Sequence, residues 1–283
     1  MPKAELTIQS IYKSFSRVER QLADFILAGR ERIPSLSVRE IAAEAGVSVA
    51  AVSRLARKVG FRNLKEFKLD LAREAARAPA YFYRAIEEGD SEAELVEKVF
   101  LGNRRSLEDT LALLDKAALA AAVRRMAQAR RLLFFGVGSS GFIARDAAMR
   151  FALLGFRAQV LTDPSEIFFH ASTAGERDVA VGISHSGRTR ITVQALELAR
   201  AHGALTVGIS NYLRSPLHAA ASFFFCTSFP ESRVTVTALS SRVAQLCLID
   251  AMFLLATRFR KGPLDYDRIN RGMEGLLRLP ERN

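Results

Sequence analysis

Along the first 77 residues, apolar positions recur at three- and four-residue steps. VERQLADFIL, SVREIAAEA and VAAVSRLARKV each carry one apolar face, and no alternating pattern interrupts them, which predicts a small all-helical bundle over residues 1–77. Residues 78–125 keep the helical texture but are rich in alanine. Pro79 and the turn-like Gly89-Asp90-Ser91 break them, with Ser91 placed to cap the helix of SEAELVEKVF, so this stretch reads as a helical connector packed on a second domain. From about Arg131 the short apolar runs RLLFFGVG, RAQVLT, DVAVGIS, ALTVGIS and SFFFCT alternate with helical segments such as FIARDAAMRFALLG and ITVQALELARAHG. A last long helix runs through SSRVAQLCLIDAMFLLATRFR. Strands alternating with helices predict an α/β domain over residues 126–283, a doubly wound parallel sheet with helices on both faces and a polar tail.

One stretch of the bundle, SVREIAAEAGVSVAAVSRLARKVGF, has the spacing of a two-helix DNA reader. Ala42 is small where two helices would approach, Gly46 is free to take a positive φ in the turn, and Val52 is apolar where the second helix meets the core. Ser37 and Ser48 stand where a hydroxyl would cap each helix. The second helix then presents Val49, Ala50, Ala51, Ser53 and Arg54 to a major groove. Arg54 is the candidate for a bidentate guanine contact, and Arg57, Lys58, Arg62, Lys65 and Lys68 for phosphates.

Charge agrees with this reading. Lys and Arg number 41 against 30 Asp and Glu in 283 residues, a net +11, and residues 1–77 hold 15 basic and 9 acidic groups. An excess of that size favours polyanionic partners. The run GVSVAAVSRLARKVGFRNLKEFK resembles the RpiR-type bacterial regulators. The resemblance implies that Ser37, Ser48 and the leading residues of the second helix lie at a DNA interface.

Two glycine- and hydroxyl-rich turns follow strands in the second half. Gly136-Val137-Gly138-Ser139-Ser140-Gly141 closes the first apolar run, with a helix expected from Phe142, and backbone N–H groups at such a turn attract an oxyanion. The same residues spell G-x-G-x-x-G, and Asp163 lies about where a dinucleotide's ribose partner would sit. A second turn, Ser184-His185-Ser186-Gly187-Arg188-Thr189, adds neutral donors that a dinucleotide site does not need. The pair resembles the SIS (sugar isomerase) domain, which RpiR-type regulators join to their helix-turn-helix. It implies a phosphosugar site at Gly138, Ser139, Ser140, Ser184, His185, Ser186 and Thr189, with Glu231 a candidate for sugar hydroxyls. Arg242, in Ser240-Ser241-Arg242, is a ligand contact or a helix-packing ion pair, with Asp250 a candidate partner.

Catalysis is a separate question. Glu166 and His170 fall four residues apart, and His185 lies in the second turn, but Arg188 stands where many SIS enzymes carry an acid, and HASTAGERD does not reproduce their His-Gly-Asp-like stretch. The expectation is a sensor with no catalytic residues, no cofactor and no metal, in which His170, His202 and His218 are structural or surface groups. A SIS-type isomerase and a dinucleotide-sensing regulator remain the alternatives. Cys226 and Cys247, both in apolar runs, read as buried thiols. With no signal core and no membrane-length apolar run, the chain is expected in the cytoplasm. The partners expected are an inverted-repeat operator in double-stranded DNA, a phosphorylated sugar or sugar-acid effector, and further copies of the chain in a dimer or tetramer, with the connector as transmitter.

Overall fold

In the computed structural model, residues 4–29, 32–77, 89–228 and 241–259 are described. The N-terminal part is helical throughout: α1 (Ala4–Ile11), α2 (Arg17–Ala28), α3 (Val38–Glu44), α4 (Val49–Lys58) and α5 (Leu64–Arg77), with short 3-10 turns after α1 and before α3. Ile8, Leu22, Ile26, Ile41, Val52, Leu55, Phe61 and Phe67 fill one core. Serines start three of these helices. Ser16 and Ser37 close reciprocal capping boxes with Glu19 and Glu40, and the Ser48 hydroxyl accepts from the Ala51 N–H. Gly46 turns the chain between α3 and α4 with a φ of +63°, a conformation that costs a residue with a Cβ.

Next come α6 (Glu92–Leu113) and α7 (Lys116–Met126), then β1 (Arg131–Phe135), α8 (Ser139–Leu153), β2 (Ala158–Leu161), α9 (Pro164–Ser172), β3 (Asp178–Ile183), α10 (Arg190–Ala201), β4 (Leu205–Ser210), α11 (Pro216–Ala220), β5 (Phe223–Cys226) and α12 (Ser241–Phe259). The five strands form one parallel sheet in the order β2-β1-β3-β4-β5. Side chains alternate across it. Leu132, Phe134, Val179 and Val181 pack with α7, α8 and α12, whereas Leu133, Phe135 and Ala180 pack with α9, α10 and α11. Of the stretch read as a connector, α7 is therefore part of the sheet's own core through Leu119, Ala122, Val123 and Met126.

At the N-terminal edge of the sheet the buried Asp178 carboxylate receives Arg130 at 2.9 Å and Arg131 at 2.7 Å. Burial alone would raise this carboxyl, but the hydrogen bonds and charge of the two guanidinia outweigh it and hold Asp178 well below the usual carboxylate range.

Two expectations are corrected at this level. The helix of the first glycine turn starts at Ser139 rather than Phe142, because Gly138 ends the turn and the two serines already form the first helical turn. Cys226 is buried, and burial pushes its thiol up to about 12, but Cys247 is exposed. The core stripe of α12 runs through Ala244, Leu248, Ile249, Met252 and Ala256, so position 247 falls outside it. Asp250, on the same helix, receives Arg150 of α8 at 2.9 Å. Glu231, Ser240 and Pro79 lie outside the described residues.

Candidate DNA-binding and ligand-binding sites

On the bundle, α3, the Gly46 turn and α4 form a helix-turn-helix. The inner face of α4 is set by Ala51, Val52, Leu55 and Ala56, all buried, which leaves Ser48, Val49, Ala50, Arg54 and Arg57 exposed and Ser53 half-buried. Ala51 is thus a correction. Positions 51, 52, 55 and 56 repeat with the helical period, so Ala51 belongs to the stripe that faces the core, not to the groove-reading face.

The cations also divide. The Lys58 ammonium sits 2.7 Å from the Glu19 carboxylate and over the Phe15 ring. Lys68 donates to the Leu36 carbonyl at 2.6 Å. Sequence position suggests phosphate contacts for both, yet both are already engaged within the bundle. Arg54, Arg57, Arg62 and Lys65 are exposed. Ser37 is spent on its capping box with Glu40, whose carboxyl is held below its ordinary range by the backbone N–H and hydroxyl of Ser37.

In the α/β part, β1 leads toward β2 on one side and β3 toward β4 and β5 on the other. The chain order therefore reverses between β1 and β3, and the crevice at the carboxyl ends of two such strands is where ligands of open α/β sheets bind. Phe135 of β1 pairs in register with Gly182 of β3, which brings Gly136–Gly141 and Ser184–Thr189 side by side. Ser140 and Ser184 are buried, Ser139 is exposed, and His185, Ser186 and Thr189 are half-buried. Ser184 Oγ lies 2.9 Å from Thr189 Oγ1 and accepts from the Gly187 N–H at 3.1 Å, and Ser186 Oγ accepts from the Arg188 N–H at 3.2 Å.

The helix starts at this crevice differ from seven others among the described residues. Side chains cap α2, α3, α4, α6, α7, α9 and α11, whereas α8, entered from Gly138, and α10, entered from Thr189, have no side-chain cap. Two uncapped helix starts leave N–H groups and positive dipole ends free to attract an anion. Asp163 caps α9, its Oδ1 accepting from the Ser165 and Glu166 N–H groups. Glu166 and His170 do share α9, with Glu166 exposed and His170 half-buried.

No sequence pattern marks the loop after β4. Its Asn211 N–H and the Ser210 hydroxyl both donate to the His185 carbonyl, at 3.0 and 3.1 Å, and the Tyr212 ring meets the His185 ring edge-on. The same few residues reach the helical bundle. Leu213 N–H donates to the Ser10 carbonyl at 3.0 Å, Arg214 donates to the Lys58 carbonyl at 3.0 Å, and the Lys13 ammonium lies over the Tyr212 ring at 4.3 Å. At the loop's far end Ser215 closes on Gly187, whose φ is +61°, and a Cβ there would come within 2.4 Å of Ser215 Oγ. The contacts to the bundle join residues more than 150 positions apart, so no local pattern could have announced them.

Comparison with known proteins agrees with both halves. Residues 3–78 match the helix-turn-helix domain of the rpiR family and residues 125–255 the SIS domain. The transcriptional regulator HexR of Escherichia coli K12 is 33% identical over 273 residues, 95% of this chain and 92% of that protein. HexR of Pseudomonas aeruginosa is 31% identical, over 87% of this chain and 86% of its own. Among solved structures, the Vibrio vulnificus NanR protein complexed with ManNAc-6P aligns over 97% of both chains with a TM-score of 0.58 and 25% identity. The chain belongs to the RpiR family of helix-turn-helix transcriptional regulators and carries a SIS domain as its second part.

Proposed function

We propose that this protein is a cytoplasmic, non-catalytic regulator whose affinity for an inverted-repeat operator is set by a phosphorylated sugar or sugar acid. The effector is held between β1 and β3. The phosphate would lie against the starts of α8 and α10, with donors from Ser139, Ser140, Ser184, Ser186 and Thr189, Gly138 allowing close approach and His185 at the side. On the DNA side, Val49, Ala50, Ser53 and Arg54 would meet base edges, with Arg57 and Arg62 on phosphates.

The observation that carries this reading is the pairing of two uncapped, hydroxyl-bearing helix starts at the switch point of the sheet. The NanR structure, solved with an amino-sugar phosphate, supports the same ligand class. Arg188 adds a cation where turnover would call for a base, and the curated relatives are named as regulators. In the proposed mechanism the ligand acts through Asn211–Ser215, because this loop touches both the His185–Gly187 turn and the helical bundle. A ligand that binds two arrangements of that loop unequally shifts the DNA-binding equilibrium by the difference.

Thermal-shift titration with sugar phosphates, sugar-acid phosphates and NAD(P) tests the ligand class. A sugar phosphate at 100 times its Kd should stabilise the chain by about 2.7 kcal/mol, seen as a rise in midpoint. Stabilisation by a dinucleotide alone would contradict it.

A further inference from the structure

The first half of α6 carries an apolar stripe that no described residue covers. Leu95, Val96, Val99 and Phe100 lie on one helix face and are all exposed, Phe100 to 73%. Glu92, Glu94 and Glu97 flank them. The second half of the same helix is fixed to the α/β part: the Ser106 hydroxyl donates to the Ser228 carbonyl, and the Ser228 N–H to Thr110 Oγ1 at 2.9 Å. With the axis of α6 held there, its first half presents this stripe to solvent.

A groove of about 480 Å³ in the helical bundle has the opposite make-up. Val38, Leu64, Leu69 and Ala72 give it apolar walls, and Lys65 and Lys68 line it with positive charge. Leu69 is half-exposed. The two features match in length as well as charge. From Leu64 to Ala72 along α5, and from Glu92 to Phe100 along α6, each covers roughly 12 Å of helix.

We propose that two copies of the chain exchange these elements, the first half of α6 in each copy lying in the α5 groove of the other. An amphipathic helix laid in an apolar groove is a common recognition mode. Reciprocal exchange fills both stripes and both grooves and closes the assembly at two chains. The acidic flanks of α6 meet the exposed Lys65, so this lysine serves the subunit contact rather than a DNA phosphate. The inference deepens the oligomer of the proposed function by naming its contact surface. Its test needs neither DNA nor effector, so either reading can fail alone.

Sedimentation equilibrium of the full chain over a concentration series should give a dimer, and Val96→Asp combined with Phe100→Asp should weaken it at least 100-fold. Both positions are exposed, and unchanged circular dichroism shows that the variant is folded. Independently, oxidation of a Leu69→Cys, Val96→Cys, Cys247→Ser variant yields a covalently linked dimer on a denaturing gel. A monomeric wild-type chain, a dimer indifferent to the two aspartates, or a cross-link confined to single chains would each overturn the proposal.

Discussion

At the scale of residues, the division between core and reading face on α4 turns on one register. Ala51 and Val52 both point inward, and Arg54 points out. Replacing Arg54 by Ala should relax discrimination at one operator position by about 1–3 kcal/mol and leave the others as they were. Binding to a set of single-position operator variants measures this, and an unchanged preference at every position would remove Arg54 as a base reader. Asp178 illustrates a different residue-level effect. Its folded carboxyl is depressed, so its contribution is present above the ordinary carboxylate range and is lost as pH falls from about 4. Asp178→Asn should cost about 3 kcal/mol at neutral pH by leaving two guanidinia without their partner, and the gap from wild type should close as pH falls below about 4. Unfolding midpoints between about pH 3 and 7 check the sign. A gap that widens on acidification would contradict the clamp.

Elements were more legible in the sequence than their contacts were. All five strands and the serine caps at Ser37, Ser48 and Ser91 follow from local patterns, because alternation with helices and hydroxyl placement are short-range physics. What escaped is long-range. Lys58 reads as a free cation until α2 brings Glu19 beside it, and Cys247 reads as buried until α12 is docked and its outer face defined. The SIS loops were recognisable by residue type, yet their adjacency depends on β1 pairing with β3 rather than only with β2. The loop after β4 belongs to this hidden class and supports the next expectation. Lys13→Ala with Arg214→Ala should leave effector binding intact by thermal shift while reducing the effector's influence on DNA affinity at least fivefold, within the usual range of coupling energies. Undiminished coupling would return the transmitting role to α6 and α7.

The whole molecule places a basic helix-turn-helix on the carboxyl edge of the sheet, the same edge at which the proposed ligand crevice opens. The relation is direct. Leu213 packs against the core of the helical bundle, while its neighbours Ser210 and Asn211 hold the His185 carbonyl. Reader and crevice are thus separated by one short loop, which explains how a small ligand with modest differential affinity could govern a large DNA surface. If two chains are joined through α6, the paired readers gain the twofold symmetry that an inverted repeat demands.

The most direct measurement is fluorescence anisotropy of labelled DNA from the protein's own upstream region, titrated with the wild-type chain and the Ser140→Ala, Ser184→Ala variant, with and without sugar phosphates. The account predicts that at least one sugar phosphate changes the wild-type Kd fivefold or more, and that the variant binds DNA normally but no longer responds. Full retention of the response in the variant, or a response to dinucleotides alone, would contradict it.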